Sequence, residues 1–151
     1  MLSVTQNYFR LAVVSERLHR LFLETIKNYL SDKKIRDINS VQCLILYNVG
    51  LEKITVGEFT KRGYYLGENV SYNLRKMVNN GYLMQFENKS DKRSSYVKLS
   101  KKGSELYKTL DELFKDHKWD LKQCGMDNND FNKLYSMLNE IENFLELIKN
   151  G

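Results

Sequence analysis

Two stretches of this sequence carry side chains suited to holding a polyanion. In ENVSYNLRK, Asn69, Ser71, Tyr72, Asn73, Arg75 and Lys76 fall within eight consecutive residues. Asparagine can pair with adenine, arginine with guanine, and serine, tyrosine or lysine with phosphate oxygens. In DKRSSYVKLSKKG, Lys92 and Arg93 follow Asp91 directly, where the pattern reads as the tip of a hairpin. These groups bind charge and base edges. None is set up to move a proton or carry an acyl group.

Chemistry of other kinds finds little footing. HExxH, GxSxG, P-loop and GxGxxG patterns are all absent. The two histidines, His19 and His117, stand far apart, and Asp111 and Glu112 occupy successive helix positions that do not face each other. The expectation is therefore no enzyme, no metal site and no cofactor. The two cysteines, Cys43 and Cys124, are too few and too distant for a disulfide framework, which points to a reducing cytoplasm. Cys43 lies among Val41, Leu44 and Ile45 and is expected in the core. No basic residue immediately flanks either cysteine, which weighs against redox sensing without closing that alternative. No apolar run is long enough to cross a membrane, and MLSVTQNYFRL does not read as a secretion signal.

Charge is unevenly placed. Residues 53–103 hold eleven Lys or Arg against four acids, a balance of +7 in a chain whose total is +5. All the positive excess sits in the middle third, which is the footprint of a polyanionic partner, most often nucleic acid.

The elements that must position these groups are mostly helical. A chain of 151 residues, 42% hydrophobic and without proline, suits one domain with long uninterrupted helices. SVTQ is a capping box opening a first helix to about Leu30, with Val4, Tyr8, Leu11, Leu18, Leu21, Phe22, Ile26 and Tyr29 at three- and four-residue steps. Asn39 caps a second helix that Gly50 closes, and Thr55 with Glu58 boxes a short third. A fourth, from Glu68 to Asn80, buries Val70, Leu74, Met77 and Val78. YLMQFEN and SSYVKLS alternate as two strands of a hairpin. A fifth helix follows over Lys101–Gln123, and Asp127 caps a last one to Lys149. In that last helix Phe131, Leu134, Leu138, Ile141, Leu145 and Ile148 form the seam of a helix pair.

Three short helices followed by a hairpin make a winged helix-turn-helix, a mainly α fold with a small β part. Its fourth helix is narrow enough for the major groove of B-DNA. The winged part spans about 35–103 of a single domain. Residues 1–31 and 104–151 hold more apolar surface than so small a body can cover, and a second copy is the simplest cover.

On those residues the chain resembles the MarR family of bacterial regulators. Asp91, Arg93, Ser94, Val97, Leu99, Ser100 and Gly103 fit that family's wing signature, Asp-x-Arg-Ser and then an alternating strand ending Leu-Ser/Thr-x-x-Gly. The run GENVSYN at the entry to the fourth helix departs from the commonest family pattern and is similar to a branch found in alphaproteobacteria. The resemblance implies a homodimeric transcription regulator, most simply a repressor, on a pseudo-palindromic double-stranded operator. It places Arg93 in the minor groove, where narrow A·T-rich stretches concentrate negative potential. Asp91 is then expected to hold the guanidinium by a bidentate pair, and Lys92 to meet phosphate. It further implies a crevice for a small aromatic or lipophilic effector, with Arg20, Cys43, Tyr47 and Tyr65 as candidate lining. The competing reading is a winged-helix module that uses the same surface for protein contacts without reading DNA.

Overall fold

Helix ends follow the side chains available to cap them. The computed structural model describes residues 1–64, 69–91 and 93–151, with the backbone alone for 62–64. Two compact units are formed, Met1–Lys108 and Thr109–Gly151. In the first, Ser3 Oγ accepts from the Gln6 N–H at 3.1 Å while Gln6 Oε1 accepts from the Ser3 N–H at 2.9 Å. That box starts α1 (Val4–Asp32). Only the end of α1 reaches the core, through Ile26 and Leu30, whereas Val4, Phe9, Leu18 and Leu21 stay exposed.

A second capping box, Asn39 with Gln42, opens α2 (Ser40–Val49), and Gly50 at φ 72° closes it in the left-handed region open to glycine. Cys43, Ile45, Leu46 and Val49 are buried, making α2 the helix around which the unit packs. Thr55 Oγ1 accepts from the Glu58 N–H at 3.0 Å and starts α3 (Val56–Tyr64), whose Phe59 is buried. In α4 (Val70–Asn79), Val70, Leu74 and Met77 are buried, while Val78, expected with them, is only half-buried.

Strands β2 (Leu83–Glu87) and β3 (Ser95–Leu99) pair antiparallel from Leu83↔Leu99 to Glu87↔Ser95. The hairpin acquires a third strand. β1 (Ile54–Thr55) pairs with the other edge of β3, Ile54 opposite Val97, giving the order β1-β3-β2. Two residues are too short to show alternation, so β1 has no signature in the sequence. Val97, Leu83 and Leu99 are buried.

At the end of β3, Ser100 Oγ accepts from the Gly103 N–H at 3.0 Å and so caps α5 (Lys101–Gln123). The same hydroxyl donates to the carbonyls of Gly81 and Tyr82. In the second unit Asp127 and Asp130 box the start of α6 (Asn128–Asn150), in which no residue is buried. Leu134, Met137, Leu138, Phe144, Leu145 and Ile148 all remain exposed.

One polar cluster ties the turns of the first unit. The Asp37 carboxylate accepts from Tyr82 and from the Lys102 ammonium, and Lys102 also donates to the Asn80 carbonyl at 2.8 Å. Asn80 returns a bond to the Asp37 carbonyl at 2.7 Å. Burial pushes the Asp37 carboxyl up, but the Lys102 and Tyr82 bonds outweigh it and hold its pKa below the ordinary 3.8. A depressed carboxylate stabilises the fold above its unfolded pKa, and that stability is lost as pH falls through the folded value. Asp37→Asn should therefore destabilise at pH 7 by about 1 kcal/mol or less, since the pair is half exposed and screened. Urea titrations should show the gap between parent and variant closing as pH drops below 3.8. An equal gap at pH 7 and below 3.8 would show that the loss does not come from the carboxylate's charge.

Candidate nucleic-acid interface

α4 turns its charged and amide side chains away from its buried stripe. At about 100° per residue, Tyr72, Arg75 and Lys76 lie opposite Val70, Leu74 and Met77. All three are exposed, as are Asn69 and Ser71 on the flanks. Asn69 is the N-cap residue, and its side chain makes no capping bond, which leaves the amide at the helix entrance facing outward. Asn73 differs from the rest. It is half-buried beside the apolar stripe, and its Oδ1 accepts from Gln42 Nε2 at 3.1 Å. The expectation that Asn73 offers a complete amide to adenine must be revised, because its oxygen is engaged by α2.

The wing between β2 and β3 is held by short-range bonds at its tip. Asn88 Nδ2 donates to Ser94 Oγ at 2.9 Å, and Asn88 Oδ1 accepts from the Ser90 N–H at 3.1 Å. Asp91 Oδ1 accepts from the backbone N–H of Arg93 at 3.0 Å. The expected bidentate pair with the guanidinium is not formed. A carboxylate reaches the N–H two residues on within one Asx turn, and a bond to a fixed backbone donor orders no long side chain. Asp91 thus fixes where Arg93 leaves the chain, and the guanidinium itself is exposed. Lys98 is exposed on the wing, and Lys53 Nζ sits 4.6 Å over the Tyr96 ring. Lys92 lies outside the described residues.

The winged fold that carries this surface recurs in known proteins. A family model described as a winged helix DNA-binding domain matches residues 38–103. The exopolysaccharide II synthesis transcriptional activator ExpG of Rhizobium meliloti (strain 1021) is 31% identical over 135 residues, 89% of this chain and 70% of that protein. AbsC, a MarR family transcriptional regulator from Streptomyces coelicolor, superposes with a TM-score of 0.69 at 17% identity, over 97% of each chain. The chain belongs to the MarR family. Streptococcus pneumoniae FabT, solved in complex with DNA, shares the fold at a TM-score of 0.68 and 19% identity, over 93% of this chain and 99% of that one. Members of this family and the relatives found are transcription regulators rather than enzymes, and so is this protein.

Within the MarR fold the wing signature gains a physical meaning. Its closing Ser100 and Gly103 are not wing residues at all. They form the cap of α5 and the point where α5 crosses the start of β2. Asp91, Ser94 and Val97 set the turn and the core face of the hairpin, and the Arg93 side chain is left exposed to the solvent.

Of the residues expected around an effector, the three that are described each have a local role. Cys43 is 1% exposed, and burial pushes its thiol up to about 12, so it stays protonated and unreactive at neutral pH. Tyr47 stacks on Tyr107 with ring centroids 4.8 Å apart. Arg20 is exposed and pairs with Glu16 at 3.8 Å along its own helix. Tyr65 lies outside the described residues. Instead, an open groove of about 420 Å³ runs between α1 and the start of α2, lined by Leu23, Glu24, Lys27, Asn28, Asn39, Ser40 and Val41. Sequence reasoning missed this lining, because residues on two helices share a groove only once their crossing is known. Among the described residues no group of His, Cys, Asp or Glu could hold a metal, and no helix is long and apolar enough to cross a membrane.

Proposed function

We propose that this MarR-family protein acts in the cytoplasm as a homodimer on a pseudo-palindromic double-stranded DNA site. α4 enters the major groove and Arg93 of the wing enters the adjacent minor groove. The observation that carries this reading is the pairing of an exposed Tyr72–Arg75–Lys76 face with an exposed Arg93, within a segment of charge +7. Asn69 and Ser71 at the helix entrance are placed to contact base edges or phosphate, and Lys92, next to Arg93 in the sequence, adds a further cation. The dimer is supported by the apolar side chains that α1 and α6 leave exposed, with residues 1–31 and 104–151 supplying the contact. Ligand control is supported by the groove beside α1, where Leu23 and Val41 offer apolar contact and Lys27 a cation for a small lipophilic acid.

The sign of regulation is set by where the site lies relative to a promoter, which the chain does not encode. Repression is the reading taken from the family resemblance. The name of ExpG favours a second reading, activation. A reporter carrying the selected site upstream of, or across, a promoter separates the two.

Arg93→Ala tests the wing. Binding should weaken on all sequences, and the slope of log affinity against log salt should flatten by about one unit. Asp91→Ala should weaken binding less, because the arginine remains but its backbone is no longer anchored. An Arg93→Ala protein that binds duplex as tightly as the parent, with the same slope, would remove the wing from the interface. A parent whose partner binding ignores salt would favour the protein-contact module instead.

A further inference from the structure

Gln42 is a buried polar side chain, 4% exposed, yet it touches the helix proposed to read DNA. Its orientation is dictated from the backbone. The Asn39 N–H can only donate, and it lies 3.1 Å from Gln42 Oε1. That bond turns the oxygen of Gln42 toward the N-terminus of α2 and leaves Nε2 for α4. Nε2 is a donor, so the atom it meets on Asn73 at 3.1 Å must be the acceptor Oδ1. The Asn73 oxygen therefore points inward, and its Nδ2, with two N–H donors, takes the other, half-exposed side.

We propose that Gln42 is a positioning residue that sets base preference: it fixes the polarity of Asn73 so that α4 presents a two-donor group to the major groove. This rests on the DNA-binding reading above. A carboxamide free to use both atoms pairs with N6 and N7 of adenine. One that offers only N–H groups matches the two acceptors of guanine, N7 and O6. The half-site should accordingly carry a G·C pair beneath Asn73, not the A·T pair that asparagine ordinarily reads.

The test is selection of bound sites from randomised duplex by the full-length parent, Asn73→Ala and Gln42→Leu. Asn73→Ala identifies the position by losing preference there alone. The parent should favour G·C over A·T at that position by roughly tenfold or more. Gln42→Leu should lose the same preference and keep the others, an effect a purely structural role for Gln42 would not produce. An A·T pair at that position, or a folded Gln42→Leu that retains the parent's preference, overturns the proposal. If Gln42→Leu does not fold, the pair identified through parent and Asn73→Ala still decides it. Uniform loss on all sequences by Asn73→Ala also overturns it, since Asn73 then meets phosphate while DNA binding itself stands. A parent that enriches no site at all removes the proposed function and this inference together.

Discussion

Gly103→Ala should lower stability by about 3 kcal/mol, near the upper end for an overpacked site. In a chain of this size that corresponds to a melting temperature roughly 10 °C below the parent's. A Cβ at position 103 would stand 2.1 Å from the Tyr82 carbonyl oxygen and 3.1 Å from its carbon. The obstacle is backbone, so no side-chain rotation relieves it. Nor is the carbonyl free to swing, because it accepts from the Ser100 N–H at 3.0 Å and from the Ser100 hydroxyl at 3.1 Å. Alanine gains at most about 1 kcal/mol of helix propensity over glycine, too little to offset the clash. Thermal and urea unfolding read the difference. A variant as stable as its parent would show that the junction of β2 and α5 opens at little cost. The wing would then be anchored elsewhere.

Leu138→Asp, or Leu145→Asp, should turn a particle of two chains into single chains of 17.9 kDa. The design separates association from folding. Leu138 is 37% exposed and Leu145 47% exposed, so in a lone chain a carboxylate at either place remains solvated. In a seam between two copies the same carboxylate would lose its water without gaining a partner, which costs several kcal/mol. Light scattering at micromolar concentration, with circular dichroism as the control for helix content, distinguishes the outcomes. A parent that already weighs one chain would remove the dimer. A variant that stays two chains would move the contact away from α6. Loss of the dimer should also remove tight operator binding, because two recognition helices must be held one groove repeat of about 34 Å apart.

How much of this was written in the sequence depends on the range of each interaction. The caps were legible because each is a bond across three residues: Ser3 with Gln6, Thr55 with Glu58, and Asn39 and Asp127 at the starts of α2 and α6. The helix and strand periods were legible for the same local reason, and they led to the winged fold and to the face of α4. The surplus of apolar side chains at both ends of the chain could be counted directly, and their exposure follows from that surplus. Tertiary structure decided the rest. Strand β1 exists only because β3 offers it a free edge. Asp91 could have bonded a guanidinium or a backbone N–H, and turn geometry chose the backbone. Cys43 and Tyr47 were spent on packing, and the groove beside α1 drew on other residues. Gln42 and Asn73 lie 31 residues apart, and nothing local relates them. The sequence determines which hydrogen-bonding groups each side chain carries, but a buried amide has two ends, and only the packing of α2 against α4 decides which end faces outward.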